Sequence, residues 1–115
     1  MANGEVVADG NKGRHIILLD AVAGNATNNG AWVELQDHRL NVSIWFDGIA
    51  GGASLSIRGS NATAKPAATE HGDAIGAAVD ADGFVAVNIV PRWIKVYKAA
   101  ATGSGTVTAI LAASK

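Results

Sequence analysis

The chain contains no cysteine, which removes any disulfide framework and any cysteine-based metal or redox site. Charged residues make up 17 %, below the usual quarter. The formal net charge is −1, so nothing steers the protein electrostatically toward nucleic acid. The longest run of large aliphatic residues, 16–19, is far too short to span a bilayer, and no membrane partner is expected. The opening MANGEVVADG has no basic segment followed by an apolar one, so no signal peptide is expected. A sustained helical stripe is missing throughout. Residues 62–70 are the one place for a helical turn, and Pro66 limits it.

Aromatic residues are also scarce, at 5 %. Hydrophobic residues reach 49 %, but alanine supplies much of that. The large core fillers are Trp32, Trp45, Trp93, Phe46, Phe84 and Tyr97, with scattered Ile, Leu and Val. Such a core implies thin, closely packed sheets or a partner that completes the burial. At 115 residues one domain is expected, long enough to enclose a core without staples.

What is present is strand chemistry. Residues 83–111 hold three apolar runs, 84–90, 93–97 and 106–111, separated by Pro-Arg and by Thr-Gly-Ser-Gly. β-branched and aromatic residues dominate the runs, and Gly and Pro punctuate them. Upstream, residues 15–22 read as a strand with apolar residues on both faces. Residues 31–36 alternate, with Ala31, Val33 and Leu35 opposite Trp32, Glu34 and Gln36. Residues 40–47 alternate most cleanly, with Leu40, Val42, Ile44 and Phe46 on one face and Asn41, Ser43, Trp45 and Asp47 on the other. Residues 53–58 alternate again, and the two segments read as a hairpin with a longer loop. The tract 59–73 is irregular, residues 74–79 form a weak strand, and Asp80-Ala81-Asp82-Gly83 reads as a hairpin turn. The expected fold is therefore an all-β, single-domain sandwich of eight or nine short antiparallel strands over residues 15–115, preceded by a flexible arm, 1–14.

No catalytic constellation emerges, and an enzyme is not expected. His15, His38 and His71 sit on separate segments without metal-ligand spacing. Asp80 and Asp82 resemble the start of a calcium loop, but Val85, Val87 and Ile89 stand where oxygen donors are needed. The Gly48–Gly52 tract is followed by no Lys-Ser/Thr and reads as a loop rather than a phosphate cradle. No serine sits in a Gly-x-Ser-x-Gly elbow. Asn25, Asn41 and Asn61 each open an Asn-x-Ser/Thr triplet, which chance explains in so Asn/Thr/Ser-rich a chain. No cofactor or metal is expected.

Arg92, Lys95 and Lys98 cluster in sequence around Trp93 and Tyr97. Alternation splits them, with Trp93, Lys95 and Tyr97 on one face and Arg92, Ile94, Val96 and Lys98 on the other. That weakens a nucleic-acid patch in favour of a solvated strand face. Trp32 and Trp45 lie on the more polar faces of their strands, where an exposed tryptophan marks an interface. They are the interface candidates, together with Glu5, Val6 and Val7 of the arm, which can add to a neighbour's sheet edge. The competing reading is that both sheet faces are covered, or that the register differs.

Three segments carry a resemblance. LNVSIWFDGIAGGASLSIRGSNATAKPA has a strand pair ending in GSN and entering a variable loop, GFVAVNIVPRWIKVYKAA leads one strand into an Arg-aromatic-hydrophobic strand, and GSGTVTAILAA is a closing strand with a Gly-Thr-Val-Thr core. Together these segments of residues 40–115 resemble small β-sandwich structural proteins of tailed bacteriophages, most of all capsid decoration, or cement, proteins. Residues 1–39 depart from the pattern. The resemblance implies a jelly-roll-like sandwich without catalytic residues, a homo-oligomer (trimer or dimer) bound to the major capsid protein. It also implies synthesis in the host cytoplasm and a place on the capsid exterior. A tail, baseplate or fibre module and a carbohydrate-binding sandwich are the alternatives.

Overall fold

A computed structural model describes residues 3–9, 13–49, 54–100 and 105–114. Among them nine strands form and no helix. They are β1 (Val6–Asp9), β2 (Gly13–Ala23), β3 (Val33–Glu34), β4 (Leu40–Asp47), β5 (Leu55–Ser60), β6 (Asp73–Ala74), β7 (Gly83–Ala86), β8 (Trp93–Lys98) and β9 (Thr106–Ser114). One sheet has the order β1-β2-β9-β4-β7 and the other β3-β8-β5-β6. Every pairing is antiparallel. Apolar residues from both sheets meet in a single core, so the molecule is a β-sandwich.

The pairings nest. β2 pairs with β9, β3 with β8, β4 with β7 and β5 with β6. From β2 onward the first half of the chain thus folds back along the second, as the two arms of one long hairpin. Its tip is the segment 61–72, between β5 and β6.

This nesting corrects two expectations. β4 and β5 are not a hairpin, because β4 pairs with β7 and β9 whereas β5 pairs with β6 and β8. The connection after Asp47 crosses between the sheets instead. The Asp80-Ala81-Asp82-Gly83 turn crosses too, from Val79, bridged to Leu55, into β7, which pairs with β4. The Asp82 carboxylate ties the crossings together by accepting a hydrogen bond from the Ile49 amide at 2.8 Å.

Alternation sets the core. Val42, Ile44 and Phe46 of β4 are buried, as are Leu55 and Ile57 of β5 and Ile94 and Val96 of β8. Leu40, expected on the same face as Val42, is instead 57 % exposed. Asn41 has φ 51° and the ladder to β9 shifts register between Leu40 and Ser43. That irregularity turns Leu40 outward, and asparagine tolerates the left-handed backbone better than most residues.

Of the expected arm 1–14, Val6–Asp9 forms the sheet edge along β2 of the same chain, and Gly13 and Arg14 belong to β2 itself. The pairing is continued by Gly4 N to Ile17 O at 2.6 Å and Ile17 N to Glu5 O at 2.9 Å.

Candidate functional site

The two outer faces of the sandwich differ. On the five-stranded sheet, cross-strand register aligns Ile17, Ile110, Trp45 and Phe84 in one row from β2 to β7. Directly opposed residues on a sheet share a face, and this row faces away from the core. Ile17 is buried, Ile110 half-buried, Trp45 is 36 % exposed and Phe84 78 %. The ridge therefore opens to solvent toward the β7 edge. The next outward row, His15, Ala112, Ser43 and Ala86, is small or polar. An exposed aromatic pair on a ridge with low surroundings can enter a partner's hollow. Rigid rings bury large apolar area there at little conformational cost.

On the four-stranded sheet, the corresponding face is covered. Residues 61–72 cross it as a strap. Trp93 Nε1 donates to Ala62 O at 3.0 Å, and Trp32 Nε1 donates to Ala67 O at 3.1 Å and Glu70 O at 3.2 Å. Beneath the strap, Lys95 Nζ donates to Ala68 O at 3.1 Å and Glu70 O at 2.7 Å, and lies 3.0 Å from His71 Nδ1. The ammonium also sits 4.8 Å from the centroid of the Trp32 ring. The His71 and Tyr97 rings lie 4.2 Å apart. Gly72 ends the strap with φ 53°, where an added Cβ would collide with the Gly59 carbonyl.

The basic residues near Trp93 do not converge. Arg92 Nε pairs with Glu34 Oε2 at 3.1 Å. Lys95 and Lys98 are both 0 % exposed, which corrects the solvated strand face expected for them. Lys98 donates to Gly24 O and Ala26 O at 2.7 Å and to Ala99 O at 3.2 Å. Its charge thereby fastens the connection after β2. Burial pushes the pKa of both lysines down from the ordinary value, with Arg58 adding to the effect at Lys95 and Glu70 opposing it. Lys98→Met preserves the stem volume but leaves those carbonyl oxygens without their donor. It is expected to destabilise the fold by about 2–4 kcal/mol, read as a lower urea midpoint at unchanged slope.

The interface candidates separate. Trp45 is on the open ridge. Trp32 is on an outer face, as its alternation indicates, but at 3 % exposure its surface is taken up by the strap and Lys95. Glu5 is exposed beside the β1 edge, Val6 is 43 % exposed, and Val7 lies within β1. These three are separated from Trp45 by β2 and β9, so they do not form one patch with it.

Phe84, expected in the core, is instead the most exposed large apolar side chain among the described residues. The signal was available in the phase of β7, where Phe84 and Ala86 share the parity of Asn88 while Val85 and Val87 take the inner positions. Lys98 likewise shares the parity of buried Ile94 and Val96.

Among the described residues no group of three or more His, Asp or Glu side chains gathers to hold a metal ion. His38 is buried with Nδ1 3.1 Å from Asp37 Oδ1. Two adjoining hollows of about 280 and 190 Å³ share Ile75 and Ile89 in their walls, and no histidine lines either. No helix among the described residues is long and apolar enough to cross a membrane. Comparison with protein-family models, with curated proteins and with solved structures returns no match in any of the three.

Proposed function

We propose that this protein is a non-enzymatic structural protein of a tailed-phage particle, a decoration protein that bridges neighbouring subunits on the capsid exterior. The sandwich is read as a jelly roll. Support for that comes from the nested pairs β2·β9, β3·β8, β4·β7 and β5·β6, since rolling one long hairpin into two sheets produces this order. The phage assignment rests on the resemblance of residues 40–115.

The observation that carries the interface is the Trp45–Phe84 ridge. Phe84 is 78 % exposed on an edge strand, opposite Trp45 and in line with Ile110. An apolar row of this kind on a soluble surface marks a contact site. In the proposed role it docks on the major capsid protein or on a second copy within a small homo-oligomer. Multivalent contacts then add up across capsomers.

The test is co-sedimentation of purified protein with capsids lacking it, titrated to saturation. Saturation at a copy number matching the symmetry axes of the shell, with greater resistance of the particle to heat, is expected. A folded protein that stays in the supernatant at all concentrations would remove the capsid reading.

A further inference from the structure

We infer that residues 61–72 form a strap whose closure depends on the protonation state of His71. Neutral His71 accepts a hydrogen bond from Lys95 and fastens the strap, whereas protonated His71 repels Lys95 and releases it.

A lysine ammonium has three protons and no acceptor. Lys95 Nζ directs them at Ala68 O, Glu70 O and His71 Nδ1, the last at 3.0 Å. His71 Nδ1 must therefore carry a lone pair, which places the imidazole proton on Nε2. Adding a proton to Nδ1 turns the contact into two donors face to face, with two positive charges at hydrogen-bond distance. Water cannot relieve this on the lysine side, because Lys95 is 0 % exposed.

The surrounding charges sharpen the effect. Arg58 of β5 is the direct cross-strand partner of Lys95, so a third cation stands on the same covered face. Tyr97 of β8 contributes the ring against His71. Glu70 of the strap is the group of opposite sign, and it favours the charged form of Lys95. The balance at His71 is against charge: burial first, then Lys95, then Arg58 hold its pKa below the ordinary 6.5.

The depressed group gives its full contribution to closure above pH 6.5. Below that the released state binds the proton more readily, and closure weakens until the pH has passed the lowered value. Acid therefore opens the strap, and opening uncovers Trp32, Lys95 and Tyr97. The remaining fasteners, Trp93 to Ala62 O and Arg92 N to Asn61 Oδ1, do not titrate in this range and lie at the other end of the strap. Release accordingly centres on residues 67–71.

The Trp32 indole N–H reports closure, since its acceptors are strap carbonyls. Its hydrogen exchange is measured by NMR on the full chain between pH 7.5 and 5.0, corrected for the intrinsic pH dependence, while the ring signals of His71 are titrated in the same samples. Protection is expected to be lost on acidification, following the titration of His71 itself, while β2 and β9 amides keep theirs. In His71→Gln, which retains an acceptor but cannot take up a proton, protection is expected to be independent of pH. Unchanged protection in the wild type, a loss that follows His15, His38 or a carboxylate, or a pH dependence in His71→Gln as large as in the wild type would each overturn the inference.

Discussion

Phe46→Ala is expected to lower the unfolding free energy by about 3–5 kcal/mol, toward the upper end of that range. Phe46 is 0 % exposed at the centre of the core. Its ladder neighbours are Ala109 on β9 and Gly83 on β7. A methyl group and a hydrogen flank the ring, so it fills space above three strands at once. Neither neighbour can extend into the cavity left by truncation. For a domain of this size the loss corresponds to a drop in Tm on the order of 15 °C, to be read by calorimetry or thermal circular dichroism. A drop below about 4 °C would mean that the ring is not the keystone of the inner face. Few large residues serve this core, so each carries more of it.

Phe84→Glu is expected to do the opposite, leaving the fold intact and damaging association. The side chain is mostly in solvent on an edge strand, so the change in stability should stay within about 0.5 kcal/mol. On the proposed contact ridge it introduces a charge where a partner must be desolvated. Aromatic anchors at such positions cost at least about 2 kcal/mol when lost, which is about a 30-fold weaker Kd for capsids. The paired readings, an unchanged urea midpoint and a shifted binding isotherm, separate an interface role from a structural one. Equal binding of variant and wild type would remove Phe84 from the interface.

The contrast between these two phenylalanines shows what the sequence held. Strand alternation placed Phe46 inside, because its neighbours at the same parity are Val42 and Ile44. It also held the information for Phe84, through Asn88, but scarcity of aromatics made the core the natural assignment. Pairing was less legible. Alternation specifies which face a residue takes and says little about which strand lies alongside, so β4 and β5 read as a hairpin although they belong to different sheets.

Trp32 and the lysines illustrate a second limit. Alternation puts Trp32 on an outer face, yet that face is covered by a segment 35 to 38 residues on, as its bonds to Ala67 O and Glu70 O demonstrate. Lysine is almost never fully buried unless paired, and the partners of Lys95 and Lys98 are main-chain carbonyls of distant loops. Such partners have no side-chain signature. The irregular tract 59–73 was recognisable as a long loop, but its role as a fitted cover was not.

In the proposed role the outer face of the five-stranded sheet seats this protein on a phage shell. Electron cryomicroscopy of capsids saturated with the protein tests it most directly. Density for the sandwich is expected at the symmetry axes, with Trp45 and Phe84 buried against a capsid subunit or a second copy. Density in which that ridge faces solvent, with the particle contacted through another surface, would contradict it.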